Sequence, residues 1–255
     1  MMSRRRGAAH AGRSSRSSSI VSNILGVIGE LLITAALVLA GFAFWQLYWT
    51  SYQVEGPRAA AIEKYSQEHR PATTNAGEVR TDDPPPFDQE IADNEIYGLI
   101  HVPSWDWMKI PLAEGTSSYV LDQGFAGHYK ETAQAGQIGN FSVAGHRRTY
   151  GNNFRWIDRL TDGDSVIVEL DTHYLVYTMR NHEIVAADDP ENIRVVAPVI
   201  GDITFSQTPT ERWMTMTTCH PEYGNSERYI VHLQLASWTP KDTGVPLELV
   251  DEPAS

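Results

Sequence analysis

With 255 residues, 32 acidic side chains against 20 basic ones and a net charge of −12, the chain is poorly suited to hold a nucleic-acid backbone. Its single cysteine, Cys219, excludes an internal disulfide framework, and no paired ligand spacing beside it supports a zinc site. The length fits one domain with additions. Residues 1–23 carry five arginines, many serines and no acid, and read as a disordered cytoplasmic basic tail. Residues 24–49 are almost wholly apolar, with Glu30 the only charge, at the boundary. At ~1.5 Å per residue such a helix crosses a bilayer core of ~30 Å with some tilt. Trp45, Tyr48, Trp49 and Tyr52 gather at its far end as an interfacial belt. Arginines before the run and none within it place the N-terminus in the cytoplasm and everything after it outside. No Ala-x-Ala site follows, which favours an uncleaved anchor over a removed signal peptide.

Residues 50–95 read as an extracellular stalk and linker. A short helix is expected over 59–68, and 71–90 is rich in Pro, Thr, Asp and Gly. Within it, Asp83-Pro84-Pro85-Pro86-Phe87 reads as a polyproline spacer. From residue 96 the pattern changes to short β segments, expected at 97–102, 108–112, 141–145, 165–170, 174–179, 182–186, 213–218 and 229–235. Turns are expected at Asp162-Gly163-Asp164 and at Arg180-Asn181, and one helical turn over 155–160. Eight short strands at this spacing predict a mainly β, closed or nearly closed barrel over 96–237. Residues 238–255 are polar and Pro-punctuated, and read as a loose tail.

The chemistry concentrates around Cys219. The strand expected over 213–218 runs straight into it, Pro221, Gly224 and Asn225 force a loop, and Arg228 opens the next strand. A thiol at one strand end with a guanidinium at the next strand start suits acyl chemistry: the thiol attacks a carbonyl and the cation stabilises the oxyanion. A lone cysteine is more often a small buried hydrophobe. Outside the cell, however, a free thiol is a liability, and its retention favours a task. The candidate base is His146, in Gly139-Asn140-Phe141-Ser142-Val143-Ala144-Gly145-His146-Arg147-Arg148. His220 adjoins Cys219, but successive strand side chains point to opposite faces, so it serves its neighbour poorly. His10, His69, His101, His128, His173, His182 and His232 read as surface or satisfied core histidines. Arg147 and Arg148 could bind a carboxylate, with solvation the default.

Gly-Asn-Phe-x-x-Ala-Gly-His-Arg at 139–147, with Thr-x-Thr-Thr-Cys-His-Pro at 215–221 and Arg228 beyond, resembles the sortases, cysteine transpeptidases of the Gram-positive cell surface. Met216 stands where that family usually has leucine. His220-Pro221, and Tyr150-Gly151 after the histidine motif, are most similar to class E, the housekeeping sortases of high-GC bacteria. The resemblance spans 96–237. It implies an eight-stranded barrel with short helices and His146, Cys219 and Arg228 as catalytic residues; no cofactor is expected. Thr217 and Thr218 would meet the peptide or the oxyanion, and Tyr97 would help form the substrate groove. The implied partners are surface proteins with a C-terminal sorting signal of the LAXTG or LPXTG kind, cut between Thr and Gly through a thioester, and an amine of a peptidoglycan precursor or pilin. Three alternatives stay open. A class C-like pilin polymerase would use Asp83 to Phe87 as a lid, although two extra prolines separate its Asp-Pro from the aromatic. A cysteine peptidase would use water, but papain-like enzymes run Cys before His and here His146 precedes Cys219. A non-catalytic tethered β module would need none of the three residues.

Overall fold

A computed structural model describes residues 16–253, so residues 1–15 of the expected basic tail lie outside them. The chain forms two compact units that divide between Gln46 and Leu47. The first is helix α1 (Arg16–Phe44), of which Val21–Phe44 is long and apolar enough to cross a membrane. Leu32, Leu37 and Leu39 are exposed on different sides of it. A helix apolar all round is suited to lipid. A π-helical turn (Trp45–Trp49) follows.

The second unit begins with helix α2 (Thr50–Glu68), longer than the expected 59–68 because it runs through Gly56-Pro57. A mid-helix proline costs a backbone hydrogen bond. The offsetting gain is burial: Tyr65 is buried and its hydroxyl donates to the Tyr97 carbonyl at 3.0 Å, while Ala61 packs against Ala113, Val120 and Phe125.

Eight strands then close a barrel: β1 (Ile96–Val102), β2 (Met108–Glu114), β3 (Ala126–His128), β4 (Gly139–Ala144), β5 (Ser165–Glu169), β6 (His173–Ala186), β7 (Arg212–His220) and β8 (Glu227–Pro240), in the order β1-β2-β3-β4-β7-β8-β6-β5. Helix α3 (Ser118–Leu121) precedes β3, and a 3₁₀ turn (Ile157–Arg159) follows β4. The β2–β3 and β4–β7 pairs are parallel and the others antiparallel. Alternation puts Phe141 and Val143, Met214 and Met216, and Val231 and Leu233 into one interior core. The intervening Thr215 and Thr217 face outward.

Two strand assignments differ from those expected. Arg180-Asn181 is not a turn: β6 runs through it with a register slip, and both residues are exposed where the bulge faces water. Conversely β3, three residues long, is too short to show periodicity.

The Pro-rich segment is also held in place rather than free. Arg80 and Trp238 exchange backbone hydrogen bonds of 2.9 and 2.8 Å, and Gly77 donates to the Val245 carbonyl at 2.8 Å. A side chain at Gly77 would stand 2.7 Å from Thr239 Cγ2, so only glycine fits. Residues 238–253 are ordered with it: Val245 and Leu249 pack on Ile167, Tyr174 and Val176. Lys241 is buried, donating to Glu169 at 2.7 Å and to the His69 carbonyl at 2.6 Å. His101 lies between Glu169 (2.6 Å) and Glu252 (3.3 Å).

Candidate active site

Strand β7 carries the thiol and its neighbours set the geometry. Cys219 and Arg228 are directly opposed across the β7–β8 ladder, as are Thr217 and Ile230. Opposed residues of an antiparallel pair share a face, with Cβ atoms ~5 Å apart. Met214 and Met216 point into the core, so Thr217 and Cys219 share the outer face of β7. Cys219 is a free thiol of intermediate exposure. Arg228 folds back on the hairpin, donating from Nη1 to the carbonyls of Asn225 and Glu227, each at 2.9 Å. Both acceptors are neutral backbone oxygens, so the guanidinium charge is left uncompensated by them.

His146 follows β4, which runs parallel to β7 with Ala144 beside Thr217. Gly145 donates to the Thr217 carbonyl at 3.2 Å, and Thr218 Oγ1 donates to the Gly145 carbonyl at 2.7 Å. Thr218 thus fastens the strand before the thiol to the residue before the histidine. A side chain at Gly145 would meet the Phe154 ring at 2.9 Å, which accounts for the glycine preceding His146. His146 Nε2 donates to Asp122 Oδ1 at 2.8 Å, and the Tyr150 ring lies 5.3 Å from the imidazole. That contact fixes the tautomer and leaves Nδ1 as the nitrogen not bonded to Asp122.

Two residues of this neighbourhood carry no sequence signal. Asp122, at the end of α3, lies 24 positions before His146 and in no recognisable motif. Tyr129 shares a 2.9 Å hydrogen bond with Thr217 Oγ1. Burial pushes the Tyr129 hydroxyl above the ordinary phenol range, against the lowering influence of Thr217 and Arg228. It is therefore a neutral hydrogen-bonding group beside Cys219 and Arg228.

The remaining expected residues divide. Thr217 and Thr218 are buried at the site and already bonded, to Tyr129 and Gly145 respectively. Tyr97 is not brought to this group. Its strand is four places from β7 in the eight-stranded closed order, and its ring is buried edge-on to Phe87 and His128. His220, on the other face of β7, accepts from Arg147 Nη1 at 2.7 Å. Arg147 is buried rather than solvated, and its Nη2 donates to Asp158 at 2.8 Å. Arg148 pairs with Glu222. Asp83 pairs at 3.1 Å with Arg212, the first residue of β7. Arg212 stands seven strand steps of ~3.3 Å, roughly 23 Å, from the thiol, and Asp83 is held at that far end of β7. A lid over the cysteine therefore has no counterpart in this geometry. Among the described residues, no group of three or more His, Cys, Asp or Glu side chains is arranged to hold a metal ion.

A free thiol, a guanidinium directly opposite it and a carboxylate-held imidazole at the end of the adjoining strand can together perform nucleophilic acyl transfer. Comparison with known proteins agrees. The Sortase domain family matches residues 100–236. The chain is 34% identical over 229 residues to Sortase SrtE1 of Streptomyces coelicolor, covering 88% of this chain and 60% of that protein's length. It is 31% identical over 221 residues to Sortase SrtE2 of the same organism, covering 85% and 83%. The solved structure of the SrtA sortase from Actinomyces oris is 42% identical and superposes with a TM-score of 0.64, covering 70% of this chain and 99% of that one. Family match, sequence identity and structural superposition agree, and the chain belongs to the sortase family, among its sortase E-like members.

Proposed function

We propose that this protein is a membrane-anchored cysteine transpeptidase that cuts the C-terminal sorting signal of exported surface proteins and joins the shortened chain to an amine of the cell wall. The observation that carries this reading is the direct cross-strand pairing of Cys219 with Arg228. The thiolate attacks the carbonyl of the threonine in a Thr-Gly bond. The carbonyl oxygen gains charge as the new C–S bond forms, and Arg228 turns from its backbone acceptors to meet it. The peptide C–N bond then breaks, and the imidazolium of His146, held by Asp122, gives its proton to the leaving glycine amine. The thioester that remains is opened by an incoming amine, whose proton returns to His146. Thr217 and Tyr129 lie on the face where the acyl chain passes and supply hydrogen-bonding hydroxyls to its backbone.

Helix α1 supplies location. Its apolar span holds the barrel where exported substrates and lipid-borne wall precursors meet, with the basic tail in the cytoplasm. The test uses the full chain in detergent micelles with Leu-Ala-x-Thr-Gly and Leu-Pro-x-Thr-Gly peptides and a small amine acceptor, read by mass spectrometry. The expected product is the peptide through Thr joined to the amine, and the ratio for the two peptides gives the preferred signal. Cleavage of neither peptide by a folded protein would overturn the proposal.

A further inference from the structure

The loop after His146 has backbone that few sequences adopt. Thr149, Tyr150, Gly151 and Asn152 have φ angles of 71°, 44°, 94° and 53°. Three of the four carry side chains in the left-handed region, a conformation that persists only when the surroundings over-determine it. Part of that support is internal: Asn152 Oδ1 accepts from Thr149 N at 3.0 Å, and Phe154 N donates to the His146 carbonyl at 3.0 Å.

The rest comes from α2. Arg58 Nη1 donates to Asn153 Oδ1 at 2.7 Å and to the Gly151 carbonyl at 3.3 Å, and Asn153 is fully buried. The segment holding Asp122 meets the same side chain. A side chain at Gly124, whose φ is 76°, would stand 3.0 Å from the Tyr150 carbonyl, 3.3 Å from Arg58 Cδ and 3.5 Å from Val54 Cγ2. One at Gly151 would stand 3.4 Å from Arg58 Nη1 and 3.5 Å from Gly124 Cα. The histidine loop and the aspartate segment therefore touch through two glycine backbones, and Arg58 is packed against both.

We propose that Arg58 is a positioning residue for the His146–Asp122 pair, fixing the two loops so that the imidazole keeps its aspartate contact just past the end of β4. The inference rests on the reading of His146 as the proton carrier. Arg58 lies on α2, outside residues 100–236 of the family match. Cys219 and Arg228 sit on a rigid ladder, whereas His146 and Asp122 sit on loops. The helix leading into the barrel supplies the rigidity that the loops lack.

The test uses the full chain with Arg58→Met, which keeps the apolar stem, and Arg58→Lys, which keeps one donor. Arg58→Met should lower kcat by roughly 10- to 100-fold with KM little changed, since small misplacement of a reacting group has that effect. Arg58→Lys should fall between it and wild type, and added guanidinium ion should restore part of the loss. A second readout is independent of turnover: the rate at which diethyl pyrocarbonate modifies His146, followed by peptide mapping against exposed His182. Loosening of the loop should raise that rate several-fold in whichever variant folds. Unchanged modification of His146, or kcat within twofold of wild type in folded Arg58→Met, would overturn the inference. His146→Ala separates the two readings. If it turns over normally, the assignment of His146 as proton carrier fails, while the modification rate still tests the brace.

Discussion

Strand β8 links two sites with contrasting treatment of charge. Just past its C-terminal end, Lys241 is buried against Glu169, which is itself bonded to His101, and His101 in turn meets Glu252. Burial opposes ionisation of Glu169, yet the hydrogen bond and charge of His101 and the charge of Lys241 hold its carboxyl down at about 2. At the other end, Arg228 is half-buried and, among the described residues, bonded to backbone carbonyls of its own hairpin, beside a free thiol. A group that must stabilise charge appearing only in the transition state cannot be neutralised beforehand. The contrast supports the proposal that one end serves stability and the other chemistry.

The largest effect is expected at the thiol. Cys219→Ala should abolish cleavage and transfer while melting like wild type, and Cys219→Ser should keep at most a trace. Thermal melts beside peptide turnover check this, and a large drop in melting temperature would blur the contrast. Next is Arg228→Ala, expected to lose roughly 10²–10³ in rate, mainly in kcat, as for removal of one oxyanion donor. Arg228→Lys should recover only part, because it lacks the planar fork. Steady-state kinetics on one peptide decides.

The other end should respond in the opposite way. Lys241→Met leaves the Glu169 carboxylate buried with one partner fewer, a change costing on the order of 3 kcal/mol. Turnover per folded molecule should hardly move. The pH dependence of stability has two limbs. Glu169 has its folded value lowered from 4.5 to about 2, so its contribution is complete above 4.5 and is lost as pH falls toward 2. Burial opposes the charge of His101, but its bonds to Glu169 and Glu252 raise it above 6.5. The His101 contribution is therefore complete below 6.5 and is lost as pH rises through the raised value. Denaturant unfolding from pH 2 to 9 should show both limbs in wild type. Glu169→Gln should flatten the acid one. The smallest effect is expected for Thr218→Val, which removes the bond to the Gly145 carbonyl, at about 1 kcal/mol. Chemical denaturation would register it, with turnover reduced only modestly.

What could be read from the chain followed from locality. The β7–β8 hairpin places Cys219 opposite Arg228 within ten residues, and the glycine before His146 records a close approach to Phe154. Asp122 and Tyr129 reach the site through the β2–β3–β4 path, and no spacing announces them. Composition misled over 50–95: Gly56-Pro57 resembles a helix stop, and the proline run resembles a free linker. Tertiary contacts of Tyr65, Gly77 and Arg80 outweigh both local signals. Arg180-Asn181 resembles a turn because a bulge exposes both residues. The aromatic character of Tyr97 said nothing of which side of the barrel it serves.

The central claim is that acyl transfer passes through Cys219 at the Arg228 end of β8. Intact-mass and peptide-mapping spectrometry of the full chain, quenched in acid seconds after mixing with a sorting-signal peptide, tests it directly. The account predicts an added mass equal to the peptide through its threonine, located on Cys219 and removed by amine or by neutral hydroxylamine. It also predicts no adduct in Cys219→Ala. Product formation without an adduct on Cys219, or an adduct on another residue that survives in Cys219→Ala, would contradict it.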